Sequence, residues 1–211
     1  MKLSAIAFLL FPFLLTGQTT PEPRYQDGLF AAGAVDDAAS IDVQEKLRIH
    51  ALRIVSPRVI VGTLLTAGVR QWENSPGKWG RGWDGYGKRY GTDYARIAIR
   101  ESLAFGIDSA AHLDPRFFRA PESSSTSTRL KHALTQVVIA HTDSGGRNFA
   151  YGQVLSAFAA GEAGSLWQPR RSDGRFGDGL VYAGILLAGD AGRNVFREFW
   201  PDIHRKLRRK P

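Results

Sequence analysis

Three helix-forming stretches of this sequence carry small residues four apart, and that spacing constrains the fold more than any other feature. Gly87, Gly91 and Ala95 make one set; Ala157, Gly161 and Ser165 a second; Gly184, Ala188 and Gly192 a third. Residues four apart share one face of an α-helix. Each set therefore draws a stripe almost bare of side chains, along which a second helix can approach closely. A glycine inside a helix costs up to about 1 kcal/mol relative to alanine. Close packing offsets that cost. The expected fold is all-α, a compact bundle of five to six helices with Gly/Ala contact faces. Such stripes also join helices inside membranes.

Capping and breaking residues divide the chain. Asp42 can cap a first helix in which Val43, Leu47, His50, Leu52 and Ile54 approximate a 3.6-residue period. Ser56-Pro57 restarts a helix, since proline at the first position lacks only an orphan N–H. That second helix is expected to end near Trp72, before Ser75-Pro76-Gly77. A third is expected over 84–112, stopped by Asp114-Pro115. Thr128 is expected to cap a fourth over 129–141, although Val137, Val138 and Ile139 also suit a strand. Asn148 is expected to cap a fifth over 149–167, and Asp178 a sixth over 179–199, interrupted by Pro201. The organisation read from this pattern is a signal peptide at 1–18, a mobile N-terminal segment at 19–41, a helical domain at 42–203 and a basic tail at 204–211.

The signal peptide rests on Lys2 followed by an apolar run from Leu3 to Leu15 and then small polar residues. Such a run is about the length of a cleavable signal and too short to span a bilayer comfortably. Export would permit disulfides, yet the chain has no cysteine, so packing must stabilise it. The zero count also excludes thiolate metal sites and a cysteine nucleophile. The formal charge of +8 is uneven: residues 18–203 hold 22 basic and 20 acidic groups, and five of the remaining positive charges fall in the last eight residues. A near-neutral body with a cationic end suits an anionic membrane surface better than nucleic acid, which is not an expected partner. The apolar run from Ile54 to Val69 contains Pro57 and Arg58, which favours peripheral attachment over a polytopic bundle.

Ionisable residues gather in three places. His112-x-Asp114 and His141-x-Asp143 recur at expected helix ends, with Arg116, Arg119 and Arg147 beside them and Glu198 and Asp202 near the C-terminus. Histidines oriented by carboxylates can act as acid and base, which makes His112, Asp114, His141 and Asp143 the candidate catalytic residues. The arginines can hold phosphate or carboxylate, so Arg116, Arg119, Arg147, Glu198 and Asp202 are candidate binding residues. The bland alternative is a set of helix-end histidines and turn-forming aspartates. No third ligand stands at diagnostic spacing, so no metal is expected. No cofactor is expected either, since Gly-x-Ser-x-Gly, His-Glu-x-x-His, phosphate-loop and dinucleotide patterns are all missing.

Four segments form an ordered set: Trp79-Gly-x-Gly-Trp-x-Gly-Tyr-Gly-Lys-Arg-Tyr-Gly91, Asp114-Pro-Arg-Phe-Phe-Arg119, Thr142-Asp-Ser-Gly-Gly-Arg147 and Glu198-Phe-Trp-Pro-Asp-Ile203. As a set the chain resembles a group of small exported bacterial proteins of unassigned function. The resemblance implies export and no particular catalytic residues. The expected function is that of an exported, non-enzymatic helical envelope protein associated with a membrane face. The alternative is a hydrolase or anion-binding enzyme using the His-x-Asp and Arg clusters.

Overall fold

The computed structural model describes residues 34–35, 40–169 and 175–208. The expected signal peptide, most of the segment at 19–41, residues 170–174 and the last three residues of the tail lie outside the described residues. The described chain is mostly helical: α1 (Val43–Val55), α2 (Pro57–Trp72), α3 (Trp83–Ala110), α4 (Thr126–Thr135), α5 (Tyr151–Ser165) and α6 (Arg175–Arg208). Its 28 residues make α3 about 42 Å long, and it forms the axis. Both α1 and α2 pack along α3, α5 packs on α3 and on α6, and α4 packs on α6.

Several helix ends follow the sequence. The Asp42 carboxylate accepts the Glu45 N–H at 2.7 Å, which satisfies an orphan donor at the start of α1. Ser56 is extended (ψ 143°) and Pro57 opens α2. Others differ for identifiable reasons. The helix expected over 129–141 ends at Thr135 because the β-branched run Val137-Val138-Ile139 leads into a strand. Ser125, rather than Thr128, caps it; the Thr128 N–H donates to Ser125 Oγ at 3.2 Å.

Among the described residues five short strands accompany the helices: β1 (Ala34–Val35), β2 (Leu113–Asp114), β3 (Phe117–Phe118), β4 (Ile139–Thr142) and β5 (Arg147–Phe149). β1 pairs in parallel with β3, and β2, β4 and β5 form an antiparallel sheet in that order. Asn148 therefore lies inside β5, not at a cap, and α5 begins at Tyr151.

Pro201 does not interrupt the last helix: α6 continues through it into the basic tail. Arg129 of α4 holds the helix on both sides of the proline. Its Nη2 donates to the Glu198 carbonyl oxygen at 2.7 Å and its Nη1 to Asp202 Oδ2 at 2.7 Å.

The three small-residue stripes divide into two kinds. On α5, Gly152, Ser156, Ala157, Ala160, Gly161 and Gly164 are all buried. A Cβ on Gly161 would collide with the carbonyl oxygen of Gly179 on α6. The other stripes look outward, and a Cβ on Gly87, Gly91, Gly184 or Gly192 would meet nothing within 4 Å. Gly161→Ala is therefore expected to cost about 1–3 kcal/mol, since helix backbones must separate. Gly184→Ala is expected to be neutral or stabilising by about 0.5–1 kcal/mol. Urea unfolding of the two variants checks the contrast; equal effects would refute it.

Some α5 glycines accommodate charge rather than backbone. A Cβ on Gly152 would strike the Asp108 carboxylate, and one on Gly164 the Arg96 guanidinium. This points to the main peculiarity of the fold. The inner face of α3 consists of Gly85, Arg89, Thr92, Asp93, Arg96, Ala104 and Asp108. Buried apolar side chains are mostly alanines, with Leu113, Phe117 and Phe118 at the sheet end. Large apolar groups also face outward: Val61, Leu65 (67% exposed), Val69 and Trp72 (81%) run down α2 at helical spacing, and on α1 Val43, Leu47 and Val55 are exposed alongside Arg48.

Candidate functional site

The two His-x-Asp segments meet. Because β2 and β4 are antiparallel, Asp114 stands opposite His141 and Leu113 opposite Thr142. The His112 carbonyl oxygen accepts the Asp143 N–H at 2.9 Å, and His112 Nδ1 lies 3.7 Å from Asp143 Oδ2. Each histidine thus adjoins the aspartate of the other segment. Both carboxylates, however, are engaged by cations. Asp114 accepts the Arg116 Nη2 at 2.6 Å and its backbone N–H at 2.9 Å. Asp143 accepts Lys46 Nζ at 2.7 Å, from a side chain only 1% exposed. His112 (φ 52°) projects into solvent. His141 lies with its ring 4.2 Å from that of Phe118, and burial, reinforced by Arg147, lowers its pKa.

The remaining expected residues separate. Arg147 is exposed on β5, and Arg119 is half-buried just after β3. Glu198 and Asp202 join Arg129 in an ion cluster between α4 and α6, with Arg129 Nε 2.8 Å from Glu198 Oε1. Of the nine expected residues, Arg116 alone lines the cavity described next.

That cavity, of about 70 Å³, opens where α1, α3, α5, α6 and the β2–β3 turn converge. Its volume well exceeds the ~10–15 Å³ that one water needs. Its wall carries Arg53, Arg100, Arg116, Arg193, Arg197 and His50, facing the carboxylates of Glu101, Asp108 and Asp190. Asp190 of α6 accepts both Arg100 of α3 and Arg193 one turn further on, and takes Gln153 Nε2 at 3.0 Å. His50 Nδ1 bonds Glu101 Oε2 at 2.8 Å, and Arg53 Nη1 lies at ion-pair distance, 3.6 Å, from Glu101 Oε2 while its Nη2 donates to the Pro115 carbonyl at 2.6 Å.

The charges here shift one another. Burial alone would raise the Glu101 carboxyl, but the His50 hydrogen bond and the positive charges of Arg53, His50 and Arg100 hold it at about 2. Burial opposes the charge on His50, yet Asp108 and Glu101 keep its pKa above the usual value. Desolvation, then the like charges of Arg53 and Arg100, pull Arg193 down to about 10 even though half of its side chain meets solvent.

Sequence reasoning missed this chamber. Its members sit on the inner faces of helices, where charged residues read as the solvated side. The available signal was the period of α3: Arg89, Asp93, Arg96, Arg100, Ala104 and Asp108 recur every three or four residues, and the last three of them line the chamber. Comparison with family models, with curated proteins and with solved structures finds no match to this chain.

Proposed function

We propose that the protein is an exported, non-enzymatic helical component of the cell envelope that lies on a membrane face. The observation that carries this reading is the inverted distribution of side chains. Charged groups line much of the interior while α2 presents an exposed apolar stripe and α1 adds exposed Val43, Leu47 and Val55. An eighteen-residue window within 43–72 reaches a mean hydropathy of 1.4 with 11% of it buried. Contiguous exposed apolar surface of this kind marks contact with lipid or another protein. Lipid is favoured because the charged tail continues the last helix: Arg205, Lys206 and Arg208 cluster in the final turn of α6, where anionic headgroups would meet them. A groove of about 1070 Å³ between α2 and α6, lined by Val59, Ile97, Val181 and Ile185 among others, offers room for an acyl chain.

Fractionation tests the reading. The full chain is expected in the envelope membrane fraction, retained through a high-salt wash and released by detergent. Val61→Lys, Leu65→Lys and Val69→Lys together alter exposed positions and are expected to move it to the soluble fraction. Recovery of the unsubstituted protein as a detergent-free soluble monomer would sink membrane association. Recovery in the cytosol with Met1 retained would sink export.

A further inference from the structure

We infer that the groove between α2 and α6 takes an uncharged single-chain lipid with a hydroxylated head, of the monoacylglycerol class. The inference deepens the membrane-face reading, on which it rests for the source of the lipid. It is carried by the polar end of the groove.

The walls alone suit any acyl chain. Val59 of α2, Ile97 of α3 and Val181, Ile185 and Leu186 of α6 line a space of about 1070 Å³, at the upper end of the ~300–1,000 Å³ usual for small-molecule sites. Selectivity lies where Arg70, Asp93, Arg96 and Gln168 line the same groove. Arg96 organises that end. Its Nη2 donates to Gln168 Oε1 at 3.0 Å, and its Nη1 lies 4.0 Å from Asp93 Oδ1. The Tyr182 ring covers the guanidinium, with its centre 3.8 Å from the guanidinium carbon. Arg70 donates to the same Asp93 oxygen, Oδ1.

Two polar atoms are left over. Asp93 Oδ2 has no hydrogen-bond partner among the described residues, although the side chain is only 7% exposed. Burial holds this carboxyl above its usual pKa even with Arg70 and Arg96 beside it. Gln168 Nε2 is likewise buried without a partner. Arginine only donates, so the Gln168 amide oxygen must face Arg96 and the NH₂ is the free group. Arg96 Nε also lacks a partner, but Gly164 lies against it and shields it from a ligand. Unmet buried groups are costly, and a ligand that meets them removes the cost.

The vacant pair is one acceptor and one donor, both set by a single guanidinium. A hydroxyl both donates and accepts, so a glycerol head can give a hydrogen to Asp93 Oδ2 and take one from Gln168 Nε2. A carboxylate head has no hydrogen to give and brings a like charge to the bare Asp93 oxygen. An ammonium head accepts nothing and faces Arg70 and Arg96. A simple ester leaves Asp93 unmet.

The test is photocrosslinking. A monoacylglycerol carrying a diazirine in its chain is delivered from cyclodextrin to the purified full chain with phosphatidylcholine vesicles present. Mass spectrometry then locates the crosslinks, which are expected within 59–66 and 181–186. Unlabelled monooleoylglycerol is expected to compete at least about tenfold better than methyl oleate, oleate or oleylammonium, the worth of one hydrogen bond to a charged group. Asp93→Asn and, separately, Gln168→Leu are each expected to cut its advantage over methyl oleate at least about threefold, with methyl oleate itself competing as before. An unfolded variant would lose both, so the ratio separates recognition from folding. Flotation of the same vesicles reports membrane association separately. A chain that floats but labels outside the groove, or that binds methyl oleate, oleate or oleylammonium as well as the glycerol lipid, overturns the inference and leaves the membrane reading standing. A chain that stays soluble overturns the membrane reading, and the same competition on the soluble protein then decides the groove.

Discussion

Arg129→Met is expected to destabilise the protein by about 3–5 kcal/mol, because it strands a buried carboxylate. Glu198 is completely buried, and besides Arg129 Nε it accepts the Ala120 N–H at 3.2 Å. Without the guanidinium one backbone N–H remains for a full negative charge. Asp202 suffers less, since it also pairs with Arg205 nearer solvent. The double variant Arg129→Met, Glu198→Met should recover most of the loss, since two apolar groups of similar length need no partner. Urea unfolding of the two singles and the double forms a closed cycle. Additive losses would show that the two residues do not interact. The same arginine also contacts the face of Phe199 with its guanidinium carbon 4.7 Å from the ring centre, so part of the loss is packing.

The second large effect is expected at Arg89, which is fully buried and whose hydrogen bonds among the described residues go to carbonyl and amide oxygens. Its Nε donates to the Ser75 carbonyl at 2.9 Å, and its Nη atoms donate to the carbonyls of Gly80 at 2.9 Å and Pro76 at 3.0 Å and to the Gln71 side chain. One guanidinium therefore gathers the connection between α2 and α3, including the 3-10 turn Gly77–Trp79. Gly85 belongs to the same arrangement: a Cβ there would lie 2.6 Å from the Gly80 oxygen and 2.8 Å from Arg89 Nη1. Hydrogen bonds to charged donors contribute about 1.5–3 kcal/mol each, less whatever water restores to the freed carbonyls. Arg89→Met is expected to cost at least about 3 kcal/mol and to open residues 74–82 to protease. Arg89→Lys should restore part of the stability, since an ammonium has three donors and no fork. Limited proteolysis followed by mass spectrometry reads the site of cutting; resistance equal to the unsubstituted protein would refute the role.

These two clusters show where the sequence was informative. The helix starts at Asp42 and Pro57 were legible because capping chemistry is local. So was the all-α class, which the 3.6-residue period and the helix starts carry, whereas of the three glycine stripes only that on α5 serves as a helix contact. The end of α4 was not, because Val137 to Ile139 suit helix and strand alike and the pairing partner β2 is distant in sequence. Passage of α6 through Pro201 depends on Arg129, about seventy residues away. The candidate site was half legible. The His-x-Asp repetition does mark two strands that pair, as cross-strand registry makes clear. What periodicity could not reveal is the sense of the charged stripe on α3. A period of three to four identifies a face but not its direction, and the usual assumption turns charge toward water. Lys46, Arg100, Glu101, Asp108 and Asp190 were therefore passed over, and His50 was read with the apolar period of Val43, Leu47 and Leu52, which the structure leaves exposed while burying His50.

The inward-facing charge has a thermal consequence. The heat-capacity change of unfolding rises with the apolar area exposed and falls with the polar area exposed. A chain that buries alanines, arginines and carboxylates while leaving Leu65, Trp72 and Trp83 outside gains little new apolar surface when it unfolds. Its heat-capacity change should lie below the ~12–15 cal/mol/K per residue of ordinary domains. The stability curve is then broad and shallow, with little tendency to unfold in the cold. Because the desolvation penalty of buried ions falls on heating, the same interior that is costly at room temperature becomes less so as the temperature climbs.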